Sequence, residues 1–321
     1  GLFSIYLSPL LVGMGYVLGF VNTFVWFLGG AIVLFIGEPL AKMFKIADFP
    51  IMKNSFGMGF MIGIGIAVIL KIIFSKHKFL KKLGKTRLRP GGIKGTSFLL
   101  AHADIKEGQV ILEVACNKGL NLLNLAKNNP GAKFIGIDID KDVIKEANDE
   151  LEKTDLKNVK FFCANAFRME FADESFDYII NEAMLTMFSN KSKIKALEEY
   201  YRVLKPGGLL LTHDILLLNN YEETRKQLSD AINVSVSPLS KDEWLSLFKE
   251  VNFSTVNLLH DRLTLMTVSG LIADEGVVNS LRITKNGLKK ENRKQFFKMG
   301  LTFKKLEKDM NFICFVNKKV L

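Results

Sequence analysis

In the run VILEVACNKGLNLLNLAK, residues 110–127, Glu113, Ala115, Asn117 and Gly119 alternate between an apolar β-branched stretch and a helical pattern. A strand that turns sharply into a helix gathers backbone N–H groups and a carboxylate at one point, a layout suited to gripping a small ligand. What is missing narrows the ligand. No G-x-x-x-x-G-K-[ST] run fits, so the loop is not a phosphate-cradling P-loop. Of the G-x-G-x-x-G pattern that lets a backbone touch a pyrophosphate, only Gly119 survives. The expectation is a ligand without phosphates. Asp138, in the segment IGIDID, lies 19 residues beyond Gly119, where a carboxylate can accept both hydroxyl hydrogens of a ribose. Asp140 reads instead as the cap of the helix that follows.

These residues need strands and helices to hold them. From residue 97 onward, apolar runs of strand length alternate with helical patterns, the signature of βαβ units and a parallel sheet. The pattern predicts strands at 109–115, 133–138, 159–163, 176–181 and 207–213, with helices at about 119–128, 141–153 and 191–204. Pro206-Gly207-Gly208 predicts a turn between the last helix and the strand LLLTHD. Further on, Ser240 and Glu243 form a capping-box pattern opening a helix, and strands are expected near 256–267 and 310–317. The stretch KNGLKKENRKQFFK reads as a basic surface helix.

The spacing Glu113-x-Ala115-x-Asn117-x-Gly119 resembles the acidic-x-G-x-G-x-G loop of the class I S-adenosylmethionine-dependent methyltransferases, with Ala and Asn in place of two glycines. Ala is the smallest substitute, and Asn tolerates positive φ better than most residues. The segment ANAFRMEFADESFDYII resembles the family's fourth-strand region, with Asn165 where the family has an Asp beside the adenine, and YYRVLKPGGLLLTHD resembles its fifth strand. Residues about 76–321 are thereby identified as a member of that family. The resemblance implies an α/β, Rossmann-like fold with a seven-stranded, mostly parallel sheet covered by helices on both faces. It implies S-adenosyl-L-methionine as cofactor, with Glu113, Ala115, Asn117, Gly119, Asp138, Ile139, Asn165, Ala166 and Asn181 as the residues that hold it. Position by position a plainer reading stays open: Glu113 as a strand-end acid, Asp138 as a helix-start carboxylate, Gly119 as a packing glycine.

Methyl transfer from a sulfonium needs alignment of acceptor, methyl and leaving sulfur, and needs neither a metal nor a covalent intermediate. A general base helps where the acceptor carries a proton to be lost. Acceptors in open α/β sheets sit beyond the carboxyl ends of the strands, which puts forward NEAMLTMF and THD, and in them Glu182, Thr186, His213 and Asp214. Glu182 and His213 are the catalytic candidates, His213 because an imidazole titrates near working pH; a structural histidine is the alternative. Met184, Leu185, Met187 and Phe188 suit either an apolar pocket or the core. After the fourth strand stands Asn181-Glu182-Ala183-Met184 rather than the [Asp/Asn]-Pro-Pro-aromatic run of amine methyltransferases acting on nucleic acid, and no aromatic stacking motif accompanies the lysines. The expected partner is a small-molecule or membrane-borne acceptor, not nucleic acid.

The front of the chain has a different composition. Residues 1–37 and 54–70 carry no charge at all, and residues 1–75 account for only +2 of the formal +11 of the 321-residue chain. Runs of about 20 apolar residues cross a bilayer, so residues 1–75 are expected to supply two or three membrane helices; a tilted helix, a re-entrant piece and two short segments all fit the first run. LSPLLVGMGYVLGFVNTFVWFLGGAI followed by NSFGMGFMIGIGIAVILK resembles a fragment of the oligopeptide transporter family, too short to enclose a transport path. An anchor is the main reading, and a transport-related membrane protein with a fused methyltransferase passenger is the alternative. KHKFLKKLGKTRLR, within a basic linker and domain entry at 76–96, reads either as a solvated edge or as a juxtamembrane segment; by the positive-inside rule it places the domain at 97–321 in the cytoplasm. Three cysteines without a CxxC indicate neither a disulfide framework nor a zinc site.

Overall fold

The computed structural model describes residues 79–232 and 234–320, which fall in the compact unit Lys76–Leu321. The predicted membrane helices of residues 1–75 lie outside the described residues. Among the described residues no helix is long and apolar enough to cross a membrane.

In chain order the elements are α1 (Phe79–Leu83), α2 (Gly92–Ala101), β1 (Val110–Val114), α3 (Leu120–Asn128), β2 (Lys133–Asp138), α4 (Lys141–Leu151), β3 (Val159–Cys163), β4 (Phe176–Glu182), α5 (Asn190–Val203), β5 (Leu204–Leu217), α6 (Tyr221–Ile232), β6 (Leu239–Ser240), α7 (Lys241–Glu250), β7 (Phe253–Arg262), α8 (Val268–Leu288), α9 (Lys290–Lys305) and β8 (Met310–Lys319). One sheet runs β3-β2-β1-β4-β5-β8-β7, with the two-residue β6 set against β5. The strands from β3 to β5 are mutually parallel and β8 is antiparallel to both its neighbours, which makes the mostly parallel sheet that the alternating pattern predicts.

Helices on both faces give the sheet two cores, and the period-2 alternation of a strand sorts its side chains between them. Along β8, Phe312, Cys314 and Val316 point into one core while Ile313 and Phe315 point into the other. β1 divides the same way, Ile111 to the first, Leu112 and Val114 to the second. The caps follow the sequence as well. Asp140 accepts from Asp142 N at the start of α4, and Ser240 with Glu243 closes a full capping box on α7.

Three expectations change. β5 runs on to Leu217 because Asp214–Leu217 find partners in Ile313–Met310 of β8. Pro206-Gly207-Gly208 is absorbed as a bulge inside β5, where pairing slips between Phe176↔Leu204 and Tyr178↔Leu209 and Gly207 takes φ +74. KNGLKKENRKQFFK is not one surface helix: the chain breaks at Lys289, and α9 turns Met299 and Phe303 into the core.

Residues 79–96 are built into the domain, not a linker with a solvated basic edge. Lys85 is buried with its Nζ 3.2 Å from Asp274 Oδ2, while the Thr86 and Arg87 N–H groups both donate to Glu275 Oε1 at 2.7 and 3.0 Å. Lone lysines are almost never buried without a partner, and here the partners sit on α8, 189 residues away.

Candidate functional site

At the carboxyl end of β1 the chain passes through Ala115 (φ 59), Asn117 (φ 51) and Gly119 (φ 68), three alternate residues in the left-handed region. Two of them carry a Cβ, which costs roughly 1–2 kcal/mol at each position. Strain of this kind persists where surrounding bonds enforce it. Here Cys116 N donates to Ile137 O at 3.0 Å, Gly119 N to Cys116 O at 2.9 Å, and Asn117 N to Asp138 Oδ2 at 3.2 Å. Asp138 takes a second N–H, from Asp140, on its other oxygen at 3.0 Å. The carboxylate at the end of β2 therefore clamps the loop at the end of β1.

Glu113, one residue before the end of β1, is buried; its Oε1 accepts from Asn121 Nδ2 of α3 at 2.9 Å and its Oε2 has no partner. Burial, reinforced by the neighbouring Glu182 and only partly offset by Asn121 and Arg89, pushes its carboxyl up to about 8. Asn117 Oδ1 and Asn181 Oδ1 are likewise buried without a partner. Orphaned buried acceptors are uncommon, and here they gather at one end of the sheet, where Asn181 pairs in register with Val114. Glu113, Asn117 and Asp138 line a cleft of about 210 Å³, closed on the far side by Thr86–Arg89, Glu182 and Met184.

Next to the cleft Glu182, the last residue of β4, faces His213 of β5 in register. His213 Nδ1 lies 3.0 Å from Glu182 Oε1, and Nε2 accepts the Gly91 N–H at 2.9 Å, which fixes the proton on Nδ1. Thr96 donates to Glu182 Oε1 at 2.5 Å and Arg89 to Oε2 at 3.1 Å; Arg89 also bonds Thr96. Burial would raise the Glu182 carboxyl, but Arg89, then His213 and Thr96, hold it below the usual carboxylate range. The His213 ring, expected as a catalytic candidate, is fully buried and both its nitrogens are engaged in this structure. Glu182 lines the cleft as a pinned anion.

Other expected positions lie apart from the cleft wall. Ile139 is 63% exposed, and the Asn165–Ala166 turn is closed by Phe167 N donating to Asn165 Oδ1 at 2.9 Å. Gly119 is constrained from the other side, since a Cβ there would run into the Phe161 ring. No sequence pattern singles out Arg89, Thr96 and Asn121: Arg89 is one of seven cations in an acid-free run, and its carboxylate partner is 93 residues on. Among the described residues no group of three or more His, Cys, Asp or Glu is placed to hold a metal ion.

Comparison with known proteins agrees with this geometry. The model of a family described as a methyltransferase domain matches residues 105–252, which contain Glu113, the loop, Asp138, Glu182 and His213. An uncharacterised Haemophilus influenzae protein is 44% identical over 245 residues, 76% of this chain and 97% of that protein. The demethylmenaquinone methyltransferase of Listeria welshimeri is 31% identical over 111 residues, 34% of this chain and 46% of that enzyme. Among solved structures, Haemonchus contortus phosphoethanolamine N-methyltransferase 2, in complex with phosphomonomethylethanolamine and S-adenosylhomocysteine, superposes with a TM-score of 0.58 at 19% identity, over 78% of this chain and 57% of that one, a likeness of fold. The chain belongs to one family with the Haemophilus influenzae protein, and its residues 105–252 form a methyltransferase domain by their match to that family model.

Proposed function

We propose that the chain is an S-adenosylmethionine-dependent methyltransferase acting on a small-molecule or membrane-borne acceptor, with its domain in the cytoplasm and tethered through residues 1–75. The observation that carries the cofactor reading is the meeting, in one cleft, of a left-handed 115–117–119 loop, the clamped Asp138 and the orphaned Glu113 Oε2. The free acceptors match the donors of the cofactor. Asp138 would hold the ribose hydroxyls and Glu113 Oε2 the methionyl ammonium, and Asn117 would offer a further carbonyl oxygen from the cleft wall, with Asn181 at the same end of the sheet. Asn165 would take the adenine amino group only by giving up its bond to Phe167. When bound, the cofactor supplies an activated methyl group; the protein supplies position and the exclusion of water.

The tether rests on the uncharged runs at 1–37 and 54–70 and on the acid-free basic stretch behind them. Isothermal titration of the full chain with S-adenosylmethionine tests the cofactor reading. Asp138→Ala is expected to weaken binding by about 1.5–3 kcal/mol, the worth of hydrogen bonds to a charged group. Unchanged affinity would sink the assignment.

A further inference from the structure

Beyond Ala183, whose φ of 57 bends the chain away from β4, a second cavity of about 110 Å³ opens. Leu88 and Ala183 line both this cavity and the cofactor cleft, so the two are neighbours with shared walls. The walls of the second are apolar and come from distant parts of the chain: Pro90, Leu228 of α6, and Met299 and Phe303 of α9 among them. Its polar groups are confined to Thr186 and Asp214. No Lys, Arg or His lines it.

Each polar group has something to offer. Thr186 is buried, and its Oγ1 has no hydrogen-bond partner. Asp214, also buried, accepts Thr186 N on Oδ2 at 3.0 Å and Ile215 N on Oδ1 at 2.9 Å, so each carboxylate oxygen retains a lone pair. Burial raises its carboxyl above the usual range, opposed by the nearby Thr186 hydroxyl, the Thr186 and Ile215 N–H groups and Lys193; a ligand hydroxyl placed between Thr186 and Asp214 would take over the Thr186 donor. A hydroxyl group donates once and accepts twice, which fits a ligand hydroxyl that donates to the Asp214 carboxylate and accepts from the Thr186 hydroxyl. An anionic head group would meet a buried carboxylate with no cation in the chamber wall, since Lys193, which acts on Asp214, is not among the lining residues. The size also selects: a dry cavity of about 150 Å³ holds a benzene ring, so this one takes a unit of that order or slightly smaller.

Resting on the methyltransferase reading of the adjoining cleft, we infer that this chamber is the acceptor site and that it takes a neutral apolar molecule presenting one hydroxyl on a single ring or a branched five-carbon unit. Phosphate- and carboxylate-bearing acceptors are excluded from it. Asp214 and Thr186 orient the hydroxyl, and side chains of α6 and α9 hold the apolar body.

Fluorine NMR of the full chain in detergent tests this with three probes of nearly the same shape: 4-fluorophenol, 4-fluoroanisole and 4-fluorobenzoate. The phenol is expected to broaden on binding, the anisole to bind roughly tenfold more weakly for want of the donor, and the benzoate not to bind. Met299→Trp, which fills the chamber, and Thr186→Val, which removes the hydroxyl at equal volume, are each expected to weaken the phenol signal, with circular dichroism confirming the fold. S-adenosylmethionine affinity, measured by calorimetry on the same samples, is expected to stay within about twofold. Equal binding of phenol and benzoate, or phenol binding that survives Met299→Trp in a folded protein, overturns the chamber assignment. A chain that binds S-adenosylmethionine but not the phenol also overturns it. A chain that binds the phenol but not S-adenosylmethionine overturns the cofactor reading instead.

Discussion

Glu113→Gln separates what the site costs the fold from what it gives the ligand. Gln keeps the oxygen that accepts from Asn121 and abolishes titration. The unfolded chain ionises Glu113 near the ordinary 4.5, whereas the folded chain holds the proton up to about 8. A carboxyl raised on folding contributes stability only while it is protonated in both states; as pH climbs between those values, folding must take up a proton and stability falls. The loss grows by about 1.4 kcal/mol per pH unit, reaching about 3 kcal/mol at pH 7 and about 5 kcal/mol above pH 8. Wild type and Glu113→Gln should therefore diverge with pH, the variant gaining from pH 5 to 8 and holding its advantage beyond. Urea unfolding followed through Trp244, stacked on Phe248, with Trp26→Phe in both backgrounds, reads the domain alone. Parallel pH curves would refute the buried, protonated state.

The ligand side has the opposite sign. An ammonium placed on the orphaned Oε2 favours the ionised carboxylate, so binding at pH 7 should release about nine-tenths of a proton. Calorimetry in phosphate and in Tris, whose ionisation heats differ, measures that proton directly. Glu113→Gln should bind S-adenosylmethionine more weakly and release none. Equal proton release by both proteins would show that Glu113 is not the group the cofactor meets.

Gly119→Ala is expected to destabilise the domain by about 2–4 kcal/mol, combining the left-handed φ of 68 with a Cβ driven against Phe161. Phe161→Leu in the same chain should recover part of it, and a denaturant midpoint unmoved by Gly119→Ala would contradict the packing role. Lys85→Met leaves Asp274 buried without its cation and should cost about 3–5 kcal/mol, read as a loss of thermal stability; a change within error would mean that water reaches Asp274.

The parts of the fold that were legible in the sequence are those governed by short-range periodicity. β8 shows as the continuous apolar run FICFV, the α7 capping box stands in four consecutive residues, and β1, loop and α3 follow one another between Val110 and Asn128. The polar pairs that complete the site obey no period. Arg89 with Glu182, Lys85 with Asp274 and His213 with Gly91 are joined across 93, 189 and 122 residues, distances over which local pattern carries no information. By charge alone the run from Lys76 to Arg89 reads as a solvated edge or a juxtamembrane segment; the fold draws Lys85 and Arg89 inside because α8 and β4 supply carboxylates there. His213 stands out in the sequence by type and by its place at a strand end, while the engagement of both its nitrogens depends on Gly91 and Glu182, which the fold brings to it.

Gly119 shows how a position can be right for an incomplete reason. The sequence marks it as a residue that must be glycine, and the positive φ agrees, yet the space a side chain would need is taken by Phe161 from the core and not by a ligand. Ala115 and Asn117 show the converse. They keep the left-handed backbone that glycines would adopt freely, so the loop is held by its hydrogen bonds to Ile137 and Asp138, and breaking the Asp138 clamp should release strain as well as a ligand contact. In exchange, Asn117 places a buried, unsatisfied carbonyl oxygen beside the cleft, an acceptor that glycine cannot provide. The departures from the glycine pattern thus change which polar groups the loop presents to the cleft while leaving its backbone path intact, so a motif weak as a string keeps its shape.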